Sequence, residues 1–260
     1  MKVANKRILV TGAGSGMGRQ LTIELIKRGA DVIAVDMRPE TLEETKSIAG
    51  GNVSTFVLDV TDLNAVAELP TKVGKIDILI NNAGIIQPFV KINDLSLEAA
   101  QKVMNVNFYG PFALIKAFLP QLLTLPQAHI LNVSSMGAYA PVPGQSVYGA
   151  SKAAVKLLTE GLRSELLGTN VGVTIAFPGA VNTNITVNSG LNMPAGAENS
   201  EQARKSLPAN EAAKIMVDAI ESGKPRITVG KDATLMDRLS RINPVFAANL
   251  IYKQMKSLLQ

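Results

Sequence analysis

The chain has 260 residues, of which 47% are hydrophobic and 18% charged, with a formal net charge of +5. These values are typical of a folded globular protein, and the length suits one large α/β domain. The sequence contains no Cys, which excludes disulfides, thiolate catalysis and Cys-ligated metals. Its single His, His129, lies in an apolar strand pattern and is expected in the core, so we expect neither a His-dependent triad nor a metal site.

No apolar run approaches the length of a membrane span, and no signal-peptide pattern opens the chain, so we expect a cytoplasmic protein. Residues 201–260 carry ten Lys or Arg against six Asp or Glu. Because no basic cluster is interleaved with aromatic residues, nucleic-acid binding is not expected. Contact of the basic C-terminal segment with a membrane or an acidic partner stays open.

The first predicted element is a strand at 6–11, which runs into G-A-G-S-G-M-G at 12–18 and a helix at about 17–28. Glycines at 12, 16 and 18 would allow a tight turn, a close approach to a pyrophosphate and packing of the helix on the strand. The free N–H groups at the helix start favour phosphate. A glycine-rich turn alone is as often a plain loop, but a strand before it and a helix after it favour dinucleotide binding.

The second strand, at 30–36, ends in Asp36. A carboxylate at this distance from the glycine turn accepts hydrogen bonds from ribose hydroxyls and repels a 2′-phosphate, which favours NAD over NADP. Arg38 could soften that preference. The alternative is that Asp36 is an ordinary strand-end cap.

Alternating segments continue, with helix 39–49, strand 52–60, a short helix 62–69 and strand 76–80. Pro70 is expected to close the short helix. Asp59, at the end of the third strand, could accept from an adenine amino group or cap the next helix. The fourth strand leads into N-N-A-G at 81–84, where small residues would let a cofactor lie against the backbone and Asn81 could tie strand ends together. Buried strands alternating with helices predict a parallel, doubly wound sheet.

A helix beginning near Ser96 contains Asn107 just before a Gly-Pro pair, where we expect a kink that frees a carbonyl. Asn107 could bond that freed backbone or hold a water that links Lys152 to solvent. An Asn inside an apolar helix otherwise has no evident purpose.

A buried strand at 128–133 leads to Ser135, and a helix at 147–167 carries Tyr148 and Lys152 one turn apart. An ammonium about 4 Å from a phenolate stabilises it by roughly 4 kcal/mol before desolvation, an upper limit of about three pK units. Tyr148 could therefore act as a general acid/base, with Ser135 holding the oxygen that gains or loses the proton. Taken alone, such a Tyr and Lys are more often surface residues.

After a strand at 171–177, residues 183–207 read as either a mobile substrate lid or a surface insertion. A helix at 209–222 and a seventh strand at 226–229 complete the sheet. The tail, 231–260, has two helical patterns separated by Asn243 and Pro244. One apolar stripe comprises Ala247, Leu250, Ile251, Met255, Leu258 and Leu259, with Asn249, Lys253 and Lys256 opposite. We favour packing of this stripe on its own domain or on a subunit partner over membrane contact.

Seven motifs together resemble the short-chain dehydrogenase/reductase family, in family order along nearly the whole chain. They are T-G-A-G-S-G-M-G at 11–18, D-V at 59–60, N-N-A-G at 81–84, N-F-Y-G at 107–110, S-S at 134–135, Y-G-A-S-K at 148–152 and P-G-A-V-N-T at 178–183. The short third helix is the one departure from the family pattern, and it trims the side of the site expected to bind adenine.

The resemblance implies a catalytic set of Asn107, Ser135, Tyr148 and Lys152. Tyr148 would be the acid/base, Ser135 would polarise the carbonyl, Lys152 would bind the ribose and lower the pKa of Tyr148, and Asn107 would support a proton relay. The implied cofactor-binding residues are Gly12, Ser15, Gly16, Met17, Gly18, Asp36, Met37, Asp59, Val60, Asn82, Ala83, Gly84, Tyr148, Lys152, Pro178, Gly179, Val181 and Thr183.

We therefore expect a single-domain, Rossmann-type α/β oxidoreductase with about seven mostly parallel strands. It would use NAD(H), without a metal, to interconvert a secondary alcohol and a ketone. The resemblance to family members with extended apolar tails implies a lipophilic substrate. The alternatives are an NADP-dependent keto or acyl reductase and a non-catalytic dinucleotide sensor. The resemblance implies a homodimer or homotetramer through the helices at about 96–123 and 147–167.

Overall fold

A seven-stranded parallel sheet forms the centre of the computed structural model, which describes residues 1–191 and 206–256. The strands are β1 (Arg7–Thr11), β2 (Asp31–Asp36), β3 (Val53–Val57), β4 (Ile78–Asn81), β5 (Ala128–Val133), β6 (Val171–Pro178) and β7 (Arg226–Val229). Their order is β3-β2-β1-β4-β5-β6-β7, which confirms the doubly wound α/β fold. The order reverses between β1 and β4, and this reversal opens a crevice at the carboxyl ends of the strands.

Helices cover both faces of the sheet. They are α1 (Gly16–Lys27), α2 (Pro39–Ala49), α3 (Leu63–Val73), α4 (Leu97–Met104), α5 (Gly110–Leu122), α6 (Ser146–Glu165), α7 (Ile185–Asn188), α8 (Ala209–Ser222), α9 (Lys231–Ile242) and α10 (Pro244–Met255). Apolar residues of α1, α2 and α8 pack on one face, and those of α3, α5 and α6 on the other. His129 is buried in β5, as expected, and burial lowers its pKa to about 4.

The third helix is longer than expected, because α3 continues through Pro70 to Val73. Pro70 removes one backbone hydrogen bond, but the buried side chains of Leu69 and Val73 keep the segment helical against the core. Gly74 donates to the carbonyl of Pro70 at 2.9 Å and ends the helix. The predictions that Pro70 closes this helix and that the helix is shortened are therefore wrong.

The third strand is shorter than expected and ends at Val57 rather than Val60. Asp59 follows it in a tight turn, where Oδ1 accepts hydrogen bonds from the backbone N–H and the hydroxyl of Thr61 at 2.9 and 2.8 Å. Asp62, not Asp59, caps α3, because its side chain accepts from the N–H of Ala65.

The expected irregularity near Asn107 is a π-helical turn, Asn105–Tyr109, between α4 and α5. Residues 185–188, predicted as part of a loop, form the short helix α7. The ends of the predicted lid are joined by a two-residue parallel pairing of Val181–Asn182 with Leu207–Pro208. Residues 192–205 of that lid lie outside the described residues.

The tail packs on its own domain. Ala247 and Ile251 of α10 are buried in a cluster with Ala140 and Met236, and Leu250 and Met255 pack against it. This part of the stripe behaves as we favoured, while Leu258 and Leu259 lie outside the described residues. Within the described ranges, every helix falls short of the length and apolarity needed to cross a bilayer.

Candidate active site

The predicted site residues converge at one edge of the sheet. The segments that follow the carboxyl ends of β1, β4, β5 and β6 meet there, beside the start of α6. Asn81 and Asn132 hold two of these strand ends together, since Asn81 Nδ2 donates to Asn132 Oδ1 at 2.8 Å. Carboxyl ends of parallel strands at an order reversal are where open α/β sheets bind ligands.

The glycine-rich turn between β1 and α1 is closely packed against the segment after β4. Gly12 has a φ of +67°, and a Cβ on it would lie 2.9 Å from the Cα of Ala83. A Cβ on Gly18 would overlap the carbonyl of Gly12. Thr11 Oγ1 accepts hydrogen bonds from the backbone N–H groups of Asn82 and Ala83, both at 3.1 Å. The first turn of α1 therefore lines an open crevice, and its N–H groups form a cradle that fits a pyrophosphate.

Asp36 holds the glycine turn from the other side. Its Oδ2 accepts from the N–H of Gly14 at 3.0 Å, and its Oδ1 accepts from the N–H of Arg38 at 3.2 Å. The Arg38 guanidinium donates to Asn188 Oδ1 at 3.1 Å, and Asn188 donates to Ser15 Oγ at 2.7 Å. The short helix α7 thus bridges the crevice between Arg38 and the glycine turn. The sequence analysis identified Asp36 but neither Gly14 nor Asn188.

Two cavities share this edge of the sheet. The cavity beside Asp36 has a volume of about 430 Å³, and the one beside Tyr148 about 1060 Å³. The smaller is lined by these predicted cofactor residues: Gly12, Ser15, Gly16, Met17, Asp36, Met37, Asp59, Val60, Asn82, Ala83, Gly84 and Thr183. The larger is lined by Met17, Tyr148, Pro178, Gly179, Val181 and Thr183. Gly18 and Lys152 lie beneath the lining. Met17 and Thr183 line both cavities, so the two cavities lie next to each other.

Tyr148 and Lys152 lie in the first two turns of α6. Lys152 Nζ donates to the carbonyl of Val133 at 3.0 Å, lies 6.0 Å from the centroid of the Tyr148 ring, and would lie 3.1 Å from a Cβ on Gly84. Burial lowers the pKa of Lys152 to about 8. Burial raises the pKa of Tyr148, and the nearby hydroxyl of Ser135 lowers it by less. This net shift is opposite to the one expected from a neighbouring Lys, because desolvation of the phenolate dominates.

Ser135 follows β5 and begins a 3₁₀ turn, Met136–Ala138. Its Oγ accepts from the N–H of Gly137 at 3.0 Å, and a Cβ on Gly137 would lie 3.5 Å from this Oγ and 3.4 Å from Cε1 of Tyr148. Ser134 fixes the same strand end to α6, since its Oγ donates to the carbonyl of Lys152 at 2.8 Å. Two adjacent hydroxyls, those of Ser135 and Tyr148, consequently line the larger cavity, where they can bind one carbonyl or alcohol oxygen.

Asn107 is completely buried in the π-helical turn. Its Oδ1 accepts from the N–H of Ile85, and its Nδ2 donates to the carbonyl of Ile85, both at 2.9 Å. Nδ2 also lies 3.0 Å from the hydroxyl of Ser151, which donates to the carbonyl of Tyr148. Of the two roles predicted for Asn107, bonding the backbone freed in its own helix or holding a water that links Lys152 to solvent, the first is not observed. The side chain of Asn107 instead holds the segment after β4 against α6, because that segment leaves both backbone groups of Ile85 unpaired by a strand.

The start of α6 is capped by a residue that the sequence analysis missed. Gln87 Oε1 accepts from the backbone N–H of Val147 at 2.8 Å and of Tyr148 at 3.0 Å. Gln145 Nε2 donates to the carbonyl of Gln87 at 2.7 Å, and both glutamines are buried. A Gln in the otherwise apolar run after N-N-A-G was the available signal. The two glutamines tie the segment after β4 to the first turn of the helix that carries Tyr148.

Comparison with known proteins agrees with this arrangement. Residues 6–193 match the sequence profile described as short chain dehydrogenase. The chain belongs to the short-chain dehydrogenase/reductase family. It is 34% identical over 250 residues to dehydrogenase/reductase SDR family member 7B of Mus musculus. The aligned region covers 90% of this chain and 74% of the relative. It is also 34% identical over 255 residues to "Probable oxidoreductase EphD" of Mycobacterium tuberculosis, where it covers 91% of this chain but spans 43% of EphD.

Solved structures show the same fold. A short chain dehydrogenase/reductase from Burkholderia phymatum in complex with NAD has a TM-score of 0.82 and 25% identity, and the match covers 92% of this chain and 94% of that one. A short chain dehydrogenase from Burkholderia cenocepacia in complex with NADP also has a TM-score of 0.82, with 28% identity and coverage of 96% and 99%. Family members of nearly identical architecture therefore bind either dinucleotide.

The larger cavity of this short-chain dehydrogenase/reductase has a mostly apolar wall. The apolar side chains in its lining include Ile86, Phe89, Met136, Val142, Met236, Ile251 and Met255. The last three belong to α9 and α10, so the tail forms part of the site. The sequence predicts that the tail packs on its own domain or on a subunit partner, but nothing local to residues 231–260 shows that they fold back beside Tyr148.

Proposed function

We propose that the protein is an NAD(H)-dependent oxidoreductase that interconverts a secondary alcohol and a ketone. The observation that carries this proposal is that the hydroxyls of Ser135 and Tyr148 line the same large cavity, with the Lys152 ammonium buried next to them. The nicotinamide ring, when bound, supplies or accepts the hydride. Belonging to an oxidoreductase family supports this reaction class.

The proton step would be carried by Tyr148. In reduction its hydroxyl gives a proton to the substrate oxygen, and in oxidation its phenolate takes one. Ser135 would donate a hydrogen bond to the same oxygen and so stabilise its negative charge. The Lys152 ammonium would favour the phenolate electrostatically, while Asn107 acts through its contacts with Ile85 rather than on the substrate.

For the cofactor we propose NAD. The cradle at the start of α1 would hold the pyrophosphate, Asp36 would accept from the ribose hydroxyls, and Pro178, Gly179 and Thr183 would border the nicotinamide. The alternative is NADP, and one specific observation favours it: the guanidinium Nε of Arg38 lies 3.7 Å from Asp36 Oδ1, close enough to offset the negative charge there.

For the substrate we propose a lipophilic ketone or secondary alcohol. The aliphatic and sulfur-containing side chains of Ile251, Met236 and Met255 would contact its apolar part, and methionine side chains adapt to irregular shapes. A keto or acyl reductase would bind its substrate against the same apolar wall. This alternative therefore differs from our proposal in the cofactor and not in the substrate cavity. A non-catalytic dinucleotide sensor has no use for the contacts that place Ser135, Tyr148 and Lys152 together.

The protein would act as a homo-oligomer. Leu97 of α4, Tyr109 of the π-helical turn, Phe112 of α5 and Leu157 of α6 are exposed large apolar residues on the helices expected to meet a second copy. Sedimentation of the wild type and of Leu157→Glu would test this assembly, with a lower molar mass expected for the variant.

The reaction is tested by following NADH formation with a panel of secondary alcohols of increasing chain length, in parallel with NADP+. Turnover that rises with apolar chain length and requires NAD+ supports the proposal. Dinucleotide binding without turnover of any alcohol or ketone in the panel would favour the sensor, and turnover with NADP+ alone would favour the reductase.

A further inference from the structure

The C-terminal helix α10 has a second apolar face, directed away from the domain. We define the outer face as Val245, Phe246, Asn249, Tyr252, Lys253 and Lys256 of α10 and its C-cap, together with Ile242 at the end of α9. Ile242 is 83% exposed, and Val245, Phe246 and Tyr252 are 68%, 53% and 52% exposed. Single exposed apolar residues are common, but three on one side of α10, with a fourth at the adjacent end of α9, indicate a contact surface.

The outer face is also cationic. Lys253 and Lys256 lie on it, Arg238 is exposed on the preceding helix, and none of the three forms an ion pair within the described part of the chain. Arg241 is exposed and pairs with Asp237 at 3.2 Å, a carboxylate that also binds Arg226. The sequence from 238 to 260 contains no Asp or Glu. This corner of the molecule therefore carries positive charge, because its acidic residue, Asp237, is already paired.

The same helix reaches the larger cavity. Ile251, Gln254 and Met255 line that cavity, while Tyr252 and Lys253, between them in the chain, lie on the outer face. Packing of α10 on its own domain and contact of α10 with an external surface are thus compatible, because they use opposite sides of one helix. The side of α10 that would contact an external surface is the side on which the sequence pattern places Asn249, Lys253 and Lys256.

We propose that the outer face binds the surface of an anionic lipid membrane, with the exposed apolar side chains inserted between headgroups and the cations above them. Apolar side chains with flanking Lys and an interfacial Tyr are the composition of helices that lie in a membrane interface. A second copy of the chain is the less favoured occupant, because symmetric pairing would bring two cationic faces together. Resting on the proposed function, this surface would place the substrate cavity beside a store of lipophilic substrate.

Sedimentation of the full chain with vesicles tests the proposal without any turnover. Phosphatidylcholine vesicles are compared with vesicles in which about a third of the lipid is phosphatidylglycerol. We expect at least tenfold stronger partitioning to the anionic vesicles, since each Lys or Arg near such a surface raises partitioning by roughly fivefold. High salt should reduce that preference.

Two variants separate the contributions. Lys253→Glu/Lys256→Glu should remove the preference for anionic vesicles, and Val245→Ser/Phe246→Ser should weaken binding to them at least tenfold. Matched controls are Lys46→Glu/Lys75→Glu, with the same change in charge, and Leu63→Ser, an exposed apolar residue on α3. Both controls should bind like the wild type. All variants should unfold at the wild-type temperature, because the substituted residues are exposed.

The proposal is overturned if neither vesicle binds the wild type, or if both controls lose binding as much as the tail variants. It is also overturned if the wild type is an oligomer that does not bind vesicles and Val245→Ser/Phe246→Ser dissociates that oligomer. In that case a second copy of the chain covers the outer face. Vesicle binding by the catalytically inactive Tyr148→Phe variant should equal that of the wild type. A wrong assignment of the reaction would therefore leave this result unchanged.

Discussion

The side-chain oxygen of Gln87 lies 3.0 Å from the backbone nitrogen of Tyr148 and accepts its hydrogen bond. It also accepts from Val147, so one carbonyl satisfies two N–H groups in the first turn of α6, where a helix has no internal acceptors. Gln145, which precedes the helix, provides no side-chain cap. The position of Tyr148 is therefore fixed by a residue on the segment that follows β4, which also borders the cofactor crevice.

Replacing Gln87 by Met should loosen the start of α6 and misplace Tyr148. Two half-buried N–H groups lose their acceptor, which should lower the free energy of unfolding by about 1–3 kcal/mol. We expect kcat to fall about tenfold or more, since small errors in position are costly in catalysis, with dinucleotide Kd within about twofold of the wild type. Urea unfolding, steady-state kinetics and calorimetry measure the three quantities.

The variant Gln87→Glu distinguishes a role of Gln87 in positioning Tyr148 from a role in the stability of the fold alone. A carboxylate at the helix start still accepts both hydrogen bonds, so stability should return toward that of the wild type. Its negative charge beside Tyr148 disfavours the phenolate and raises the pKa of Tyr148, so the pH profile of alcohol oxidation should move to higher pH. An unshifted profile, or wild-type kcat in Gln87→Met, would contradict the positioning role.

Tyr148→Phe should lower kcat/KM by at least about 10³-fold, because it removes the group that transfers the proton. Binding of the dinucleotide should remain, since the ring and its packing are retained. Tyr139→Phe is the matched control: the Tyr139 hydroxyl donates to the carbonyl of Ala233 at 2.9 Å, outside the lining of the larger cavity. We expect this control to lose about 1 kcal/mol of stability and to keep turnover. Near-wild-type turnover by Tyr148→Phe would refute the mechanism.

The nucleotide half of the fold was predictable because its signals are local. A strand, a glycine turn and a helix follow one another at 6–28. Asp36 ends the next strand, β2, and the parallel pairing of β2 with β1 brings its carboxylate beside the glycine turn. The prediction that Pro70 ends α3 was wrong because the interaction that decides it is not local. The local effect of Pro70 is to break a helix, but burial of Leu69 and Val73, which depends on the whole core, outweighs that effect.

Contacts between distant segments could not be read from the sequence. Gln87 looks like one polar residue in an apolar run, and its partner Tyr148 is 61 positions away. The bridge from Arg38 to Asn188 spans 150 positions. The residues proposed to be catalytic were identified through spacing within α6 and through resemblance, whereas the groups that hold them were not, because chain folding alone brings those groups into contact.

Asp36→Asn should shift cofactor preference toward NADP. The single amide oxygen can still accept from the N–H of Gly14, so the glycine turn keeps its anchor, while the N–H of Arg38 loses its acceptor. The negative charge that repels a 2′-phosphate is gone, and the positive charge of Arg38 is no longer offset by a carboxylate. We expect the ratio of NADP to NAD affinity to rise at least tenfold, measured as two dissociation constants by calorimetry.

Asp36→Ala and Arg38→Ala serve as controls for this shift. Asp36→Ala removes the acceptor of the Gly14 N–H and should weaken both dinucleotides together. Adding Arg38→Ala to Asp36→Asn should abolish the gain for NADP. If Asp36→Asn leaves the ratio unchanged, Asp36 contacts the glycine turn but does not select the cofactor.

Lys152 should make the stability of the protein depend on pH in a defined window. Burial lowers its pKa from 10.5 to about 8 in the folded protein. Between these two values the unfolded chain binds more protons than the folded one, so the free energy of unfolding contributed by this group rises as the pH increases. Below pH 8 both states are protonated and the cost of burying the cation is fully present. At 1.36 kcal/mol per pK unit, that cost is about 3 kcal/mol.

Comparing Tyr148→Phe with Tyr148→Phe/Lys152→Met isolates this effect, because the phenol that would titrate in the same range is absent from both proteins. From about pH 8 to 10.5, the Lys-containing protein should gain about 3 kcal/mol of unfolding free energy relative to the Met-containing one. Urea unfolding at several pH values measures the difference. A difference that does not vary with pH would mean that Lys152 titrates near its ordinary value and that its contact with Val133 fully replaces its hydration. A rising difference would mean that, at neutral pH, the folded protein bears the cost of a buried cation beside the residue proposed to transfer the proton.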